Sequence, residues 1–117
     1  MAYVDFFCLP LPSGNVDTYL RQAEVFGTVM KEHGALKYCE AIADDVPRGT
    51  VTDFYRAVES KEGETVVAAY IVWPDKQTRD KAWAESMKDP RLAGGPDSMP
   101  FDAKRMFWGG FKPLLEK

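Results

Sequence analysis

The spacing of apolar residues along the chain predicts four strands. They are expected at residues 3–9, 36–44, 65–73 and 104–111. These runs are rich in β-branched and aromatic residues, and turn-forming glycines and prolines lie between them. The segment 65–73 contains no charged residue, which is typical of a central strand that is covered on both faces.

Two further segments carry apolar residues at helical spacing. The first lies between Asn15, a good N-cap, and Gly34, a residue type that commonly ends helices. The second covers residues 76–88 and follows Asp75, another good N-cap. The positions of this second helix that share one face are Arg79, Ala82, Trp83 and Met87.

Two segments are not assigned to a helix or a strand. Residues 50–58 fit either a helical stripe or a short extended piece, and we treat them as irregular. Residues 91–98 contain two consecutive glycines followed by a proline. That composition predicts an exposed loop.

The element order β-α-β-β-α-β predicts an α+β, ferredoxin-like fold, with residues 1–117 forming a single domain. In this fold four strands form one antiparallel sheet, and two helices cover one of its faces. The other face should be polar, yet strands 3–9 and 65–73 are largely apolar on both sides. An apolar face of this kind predicts a homodimer in which two sheets pack face to face and close into a dimeric α/β barrel.

Composition and charge argue against several classes of protein. The net charge is -3 and Lys and Arg form no cluster, which argues against nucleic acid as a partner. No apolar run approaches the ~20 residues that span a bilayer, and residues 1–5 lack the features of a signal peptide. Cys8 and Cys39 are predicted to be buried free thiols in a reducing compartment. We therefore expect a cytoplasmic protein without a membrane partner.

Three charged or titratable residues stand out. His33 is the only histidine, and a cation in the last helical turn is favoured by the helix dipole. That role is preferred over one as a general base, and a lone histidine argues against a metal site. Asp5 and Arg105 are charges inside otherwise apolar terminal strands. They either point into one cavity or form structural ion pairs, such as Arg105 with Asp102, and the structural role is favoured.

Aromatic residues are the remaining candidates for a site. Those that would line a pocket between two paired sheets are Tyr70, Trp73, Trp83, Phe107 and Trp108. A role in the core and in the dimer interface is favoured over a pocket. Arg79 and Asp80 are interpreted as a salt bridge on the helix surface. The chain contains no phosphate loop, nucleophile elbow or dinucleotide motif, so no cofactor is predicted, and Gly109-Gly110 indicates a bulge or a close backbone approach.

Several short motifs together resemble a known family. They are His33-Gly34-Ala35, Asp44-Asp45-Val46-Pro47, Arg79-Asp80, Asp89-Pro90-Arg91, Met99-Pro100-Phe101-Asp102, Lys104-Arg105-Met106 and Gly109-Gly110-Phe111. In this pattern the chain is similar to the YbaA-like bacterial domain of unknown function over nearly its whole length. The resemblance implies the dimeric α/β-barrel superfamily, which supports the sheet and the dimer. It implies no particular reaction.

Three functions remain open at this point. The first is a small homodimer that binds a small apolar or aromatic ligand in its barrel. The second, suggested by fold analogy alone, is a cofactor-independent monooxygenase-like enzyme. The third is a structural or interaction dimer with a filled core. An enclosed pocket with convergent polar groups would favour the first two. The candidate cavity residues are Asp5, His33, Tyr70, Trp73, Arg105 and Trp108.

Overall fold

Within residues 2–117 the chain forms four strands and three α-helices, with short 3-10 turns between them. A computed structural model describes residues 2–117, so Met1, which was included in the signal-peptide prediction, lies outside the described residues. The strands are β1 (Tyr3–Pro12), β2 (Lys37–Ile42), β3 (Glu64–Trp73) and β4 (Phe107–Phe111). The helices are α1 (Val16–Glu32), α2 (Phe54–Ala57) and α3 (Lys76–Ser86).

The strands form one antiparallel sheet in the order β2-β3-β1-β4. Helices α1 and α3 pack on one face of it, where Met30 of α1 and Ala82 of α3 share a buried cluster with Ile71 and Trp73 of β3. The predicted α+β, ferredoxin-like fold is therefore confirmed. We call the face under α1 and α3 the helix side, and the opposite face the open face.

Strand β1 is longer than predicted because two prolines do not end it. It runs three residues past Leu9, and Pro10 is buried opposite Val66 of β3. Strand β4 pairs with β1 only as far as Cys8. Beyond that point no strand within residues 2–117 pairs with this edge of β1, and proline is tolerated where a strand edge is free.

The two predicted helices form, but only one is capped as expected. Asp75 accepts a hydrogen bond from the backbone N–H of Thr78 at 2.7 Å. Asn15 makes no capping bond; its Nδ2 instead donates to the carbonyl of Pro100 at 2.8 Å. Helix α3 also ends earlier than predicted, at Ser86. Met87, which the pattern placed on the same face as Ala82, is 61% exposed.

The segment 50–58, predicted to be irregular, contains the short helix α2. Asp53 caps this helix by accepting from the backbone N–H of Arg56 at 2.7 Å. The buried Val58 that follows it packs with Cys8 and Val66 on the open face. The segment therefore covers one end of the open face, which was expected to be bare on a single chain. The helical alternative for these residues was the better one.

Candidate functional site

A fully buried carboxylate, Asp5, lies at the centre of the helix side. It sits on β1 between Ile71 of β3 and Gly110 of β4. Its Oδ2 accepts hydrogen bonds from the indole N–H groups of Trp73, at 2.9 Å, and Trp83, at 3.0 Å. One indole comes from the sheet and the other from α3, so the carboxylate joins the two layers.

Arg79 provides the positive charge that balances Asp5. Its Nη2 donates to Oδ1 at 2.7 Å, and its Nε lies 3.1 Å from both carboxylate oxygens. Arg79 and Trp83 are four residues apart on α3, so both point towards β1. The guanidinium carbon also lies 5.3 Å from the centre of the Tyr3 ring. The hydrogen bonds to Asp5 raise the pKa of Arg79 well above its usual range.

The prediction that Arg79 and Asp80 form a purely surface salt bridge was therefore incomplete. Nη1 of Arg79 does contact Asp80 at 3.0 Å. However, the Arg79 side chain is only 15% exposed, and its main partner is Asp5. Because four N–H groups occupy both oxygens of a carboxylate that solvent does not reach, Asp5 has no free position for a substrate. Its geometry is that of a structural link between α3 and the sheet.

Gly110 allows β4 to pass close to this cluster. A Cβ at this position would lie 2.6 Å from the Tyr3 hydroxyl oxygen and 2.8 Å from Nη2 of Arg79. The sequence predicted a bulge or a close backbone approach at Gly109-Gly110; what approaches Gly110 in the structure is the side chains of Tyr3 and Arg79. Next to it on the same side, Trp108 stacks on Trp83 with ring centres 6.1 Å apart and remains 58% exposed.

Arg105 does not belong to the cluster around Asp5 and has other partners. It belongs to a 3-10 turn, Ala103–Arg105, and not to the last strand as predicted, because β4 begins only at Phe107. Its Nη1 and Nη2 each lie 2.7 Å from a Glu64 oxygen, and its Nε lies 3.0 Å from Asp102. The alternative in which Arg105 pairs with Asp102 is confirmed, and a shared site with Asp5 is not formed.

Acid is expected to remove the contribution of the Glu64–Arg105 pair to stability. Hydrogen bonds from Arg105 lower the pKa of Glu64 in the folded chain. Stabilisation from this pair is therefore fully present well above the ordinary glutamate pKa of about 4.3 and is lost as the pH falls below that value and through the lowered one. In urea unfolding, the difference between the wild type and Glu64→Gln should shrink over this range. The matched control Glu62→Gln, at an exposed position, should show no such trend, and an unchanging Glu64→Gln difference would contradict the prediction.

A third polar cluster links α1 to β2. Oε1 of Glu40 accepts a hydrogen bond from the hydroxyl of Tyr19 at 2.7 Å, and Oε2 accepts one from the hydroxyl of Tyr38. Burial raises the pKa of Glu40, and the two hydroxyl groups only partly oppose this. Burial and the adjacent Glu40 also raise the pKa of both tyrosines. The Tyr38 ring packs against α1 at Gly27, where no side chain stands in its way.

The structure separates the six candidate cavity residues. Asp5, Trp73 and Trp108 lie on the helix side, where Trp83 connects them. Tyr70 lies on the open face beside Lys37, and Arg105 is held by Glu64. His33 is half-buried at the C-terminal end of α1, where it ends the helix. The six residues therefore do not meet in one cavity of a single chain.

The predicted aromatic pocket is divided in the same way. Trp73, Trp83 and Trp108 point to the helix side, whereas Tyr70 and Phe107 point to the open face. Within residues 2–117, no three His, Cys, Asp or Glu side chains are grouped so that they could hold a metal ion. No helix in the described part of the chain has the length and apolar character needed to cross a bilayer.

Comparison with known proteins identifies the family. Residues 2–103 match a family described as "Protein of unknown function (DUF1428)". The chain is 44% identical over all 117 residues to the uncharacterized protein YbaA of Escherichia coli K12 and to that of Shigella flexneri, and the whole of both chains is aligned. The fold resembles that of a dimeric ferredoxin-like protein from an uncultured marine organism, with a TM-score of 0.60, 12% identity and coverage of 99% and 98% of the two chains. The resemblance noted in the sequence is confirmed, and the chain belongs to the DUF1428 family of proteins of unknown function.

Proposed function

We propose that this chain forms a homodimer through its open face and that the space between the two sheets holds a small apolar or aromatic ligand. The observation that carries the proposal is a group of exposed aromatic residues on one face. Phe6, Phe107 and Phe111 are 47%, 48% and 56% exposed. Phe6 and Phe111 also make an edge-to-face contact with ring centres 5.3 Å apart. Aromatic surface of this kind is typical of an interface.

The physical argument for association is the removal of this surface from water. Each Å² of apolar area buried contributes about 25 cal/mol, so several hundred Å² per subunit would exceed typical costs of association. An isologous contact places the same face on both subunits, which suits a sheet whose other side is covered by helices. The dimeric state stated for the ferredoxin-like structural neighbour supports the proposal at the level of the fold.

The position of a ligand follows from Gly109. This residue lies opposite Phe6 and between Phe107 and Phe111 on the open face. Apart from its chain neighbours, only the Phe111 ring among the described residues comes within 4 Å of where its Cβ would be. The result is a hollow with aromatic walls. A second sheet would close the hollow and exclude water from it. The same face also carries polar groups farther across the sheet: the Tyr70 hydroxyl on β3, and the Lys37 ammonium and the Cys39 thiol on β2.

Such surroundings favour binding over catalysis. Apolar walls with a few polar groups are typical of small-molecule sites. Asp5, the buried carboxylate among the candidate residues, is on the opposite side of the sheet, and both of its oxygens accept hydrogen bonds. The free thiols of Cys8 and Cys39 fit a reducing compartment, so we place the dimer in the cytoplasm.

The dimer is tested with a charge placed on the open face. In analytical ultracentrifugation, the wild type should sediment as a dimer at micromolar concentration, whereas Phe111→Glu should dissociate at least tenfold more readily because each interface would bury unpaired carboxylates. Met87→Glu, at an equally exposed apolar position at the end of α3, is the matched control and should remain dimeric. A monomeric wild type, or equal effects of the two substitutions, would contradict the proposal.

The ligand is tested by native mass spectrometry of dimer purified from a cell extract. The wild type should carry an additional non-covalent mass. Gly109→Val should remain dimeric and lose that mass, because the new side chain fills the hollow. A wild-type dimer without any bound molecule would instead favour a structural dimer with a filled core.

A further inference from the structure

A broad groove runs along the outer edge of β2, between that strand and α1. It lies on the helix side, away from the proposed dimer interface. Leu20 and Leu36 form apolar walls, and each is 57% exposed. Tyr38 and Glu40 lie at the base of the groove. The groove therefore combines apolar walls with polar groups, as ligand sites commonly do. It is also lined by Glu24, Thr28, Lys31, Glu32 and Lys37. We call Glu40 and its hydrogen-bonded tyrosines the polar centre.

The polar centre contains a carboxylate that has no positive partner. Glu40 is half-buried and accepts hydrogen bonds from Tyr19 and Tyr38, but it takes part in no salt bridge among residues 2–117. Two other shielded carboxylates of the chain each have a positively charged partner. Asp5 is paired with Arg79, and Glu64 is paired with Arg105.

The lysines that line the groove do not supply the missing charge. Nζ of Lys31 donates to the carbonyl of Leu36 at 3.0 Å. Nζ of Lys37 lies 5.8 Å from the centre of the Tyr70 ring, on the open face. Glu32, which also lines the groove, is already bound by Arg91 at 2.6 Å. Glu24, the other carboxylate in the lining, is exposed to solvent. Glu40 is thus the partly buried carboxylate of the groove, and hydroxyl groups alone donate hydrogen bonds to it.

The oxygen atoms around Glu40 can form further hydrogen bonds only as acceptors. Each tyrosine hydroxyl donates its only proton to the carboxylate, so its oxygen can take part in a further hydrogen bond only as an acceptor. The carboxylate oxygens are also acceptors. The centre therefore presents oxygen acceptors and a partly shielded negative charge, and an ammonium group with its three N–H donors is complementary to both.

We propose that the groove between α1 and β2 binds a primary ammonium group carried on a short apolar body. The ammonium would donate to Glu40 and to the tyrosine oxygens, while the apolar body would lie between Leu20 and Leu36. The Tyr38 ring adds an aromatic face that attracts a cation. This site goes beyond the proposed dimer and does not depend on it, because its residues belong to one chain and to the other side of the sheet.

Benzylamine is the probe, and its binding is measured by ¹H–¹⁵N NMR titration of the intact protein. Binding with a dissociation constant of about 10 mM or tighter is expected, with shift changes concentrated at residues 19–40. Benzyl alcohol has the same ring and no positive charge, so it should bind at least tenfold more weakly. Equal binding of the two compounds, or no binding of benzylamine, would overturn the proposal.

Variants assign the charge recognition to Glu40. Glu40→Gln preserves the shape and one acceptor oxygen, and it should weaken benzylamine binding at least tenfold. Glu32→Gln removes a neighbouring carboxylate that Arg91 already neutralises, and it should change the affinity less than threefold. If Glu40→Gln fails to fold, Tyr38→Phe removes one acceptor oxygen and should weaken binding about threefold. Unchanged affinity in a folded Glu40→Gln or Tyr38→Phe protein would also reject the site.

Discussion

Replacement of Asp5 by alanine is expected to lower the free energy of unfolding by about 3–5 kcal/mol. The substitution leaves the guanidinium of Arg79, which is only 15% exposed, without its counter-charge. It also removes the acceptor for the indole N–H groups of Trp73 and Trp83. Unsatisfied buried donors add to the loss. Urea unfolding followed by far-UV circular dichroism, at one fixed protein concentration, measures the difference.

The control for Asp5→Ala uses the other partner of Arg79. Asp80 contacts the same guanidinium at 3.0 Å, but its side chain is 48% exposed. Loss of an exposed partner typically costs less than about 1 kcal/mol, so Asp80→Ala should be mild. If Asp5→Ala were equally mild, the cluster would not be the link between α3 and the sheet that its geometry indicates, and a functional role for Asp5 would have to be reconsidered.

Gly27→Ala is expected to destabilise the protein by about 1–3 kcal/mol, as overpacking commonly does. The sign of this change in stability is informative, since alanine within a helix is normally more favourable than glycine by about 1 kcal/mol. Here a Cβ would lie 2.7 Å from Cε2 of Tyr38 and closer still to Cδ2. The ring would have to move away from α1, and its hydrogen bond to Glu40 would be disturbed. Thermal unfolding measures the stability, and the NMR resonances of residues 38–40 report the displacement.

Gly14→Ala is the matched control for this substitution. In the described part of the chain, no atom outside the neighbouring residues lies within 4 Å of a Cβ at position 14. A change within about 0.5 kcal/mol is therefore expected. A gain in stability from Gly27→Ala would show that the Tyr38 ring has room to shift, and the close packing of α1 on β2 would then not be a constraint.

The sheet could be predicted from sequence because its signals are local. Nine successive uncharged residues, 65–73, identify a central strand without reference to the rest of the chain. The order of elements then favours the ferredoxin-like topology, which the strand order β2-β3-β1-β4 matches. The prolines of β1 were misleading, because a proline ends a strand only where its missing N–H is needed, and that depends on whether β4 reaches so far.

The partners of Asp5 could not be predicted in the same way. Arg79 lies 74 positions away from Asp5 in the chain. It belongs to a polar run, and because it is charged it was predicted to lie on the protein surface. The signal that was available is its spacing from Trp83, since both occupy the face of α3 that includes the buried Ala82. Glu40 was missed for a related reason. Its two hydroxyl partners come from α1 and from its own strand, and only the packed structure brings them together.

The position of β1 in the sheet has a consequence for synthesis on the ribosome. Of the four strands, β1 is synthesised first. Its two neighbours in the sheet are synthesised later, since β3 begins at residue 64 and β4 at residue 107. Pairings between distant segments fold slowly compared with local ones, and an apolar strand that waits for its partners is exposed to aggregation. Nascent chains that stop before residue 73 should therefore remain unfolded and depend on chaperones, and the native sheet should be completed only after the last strand has been released.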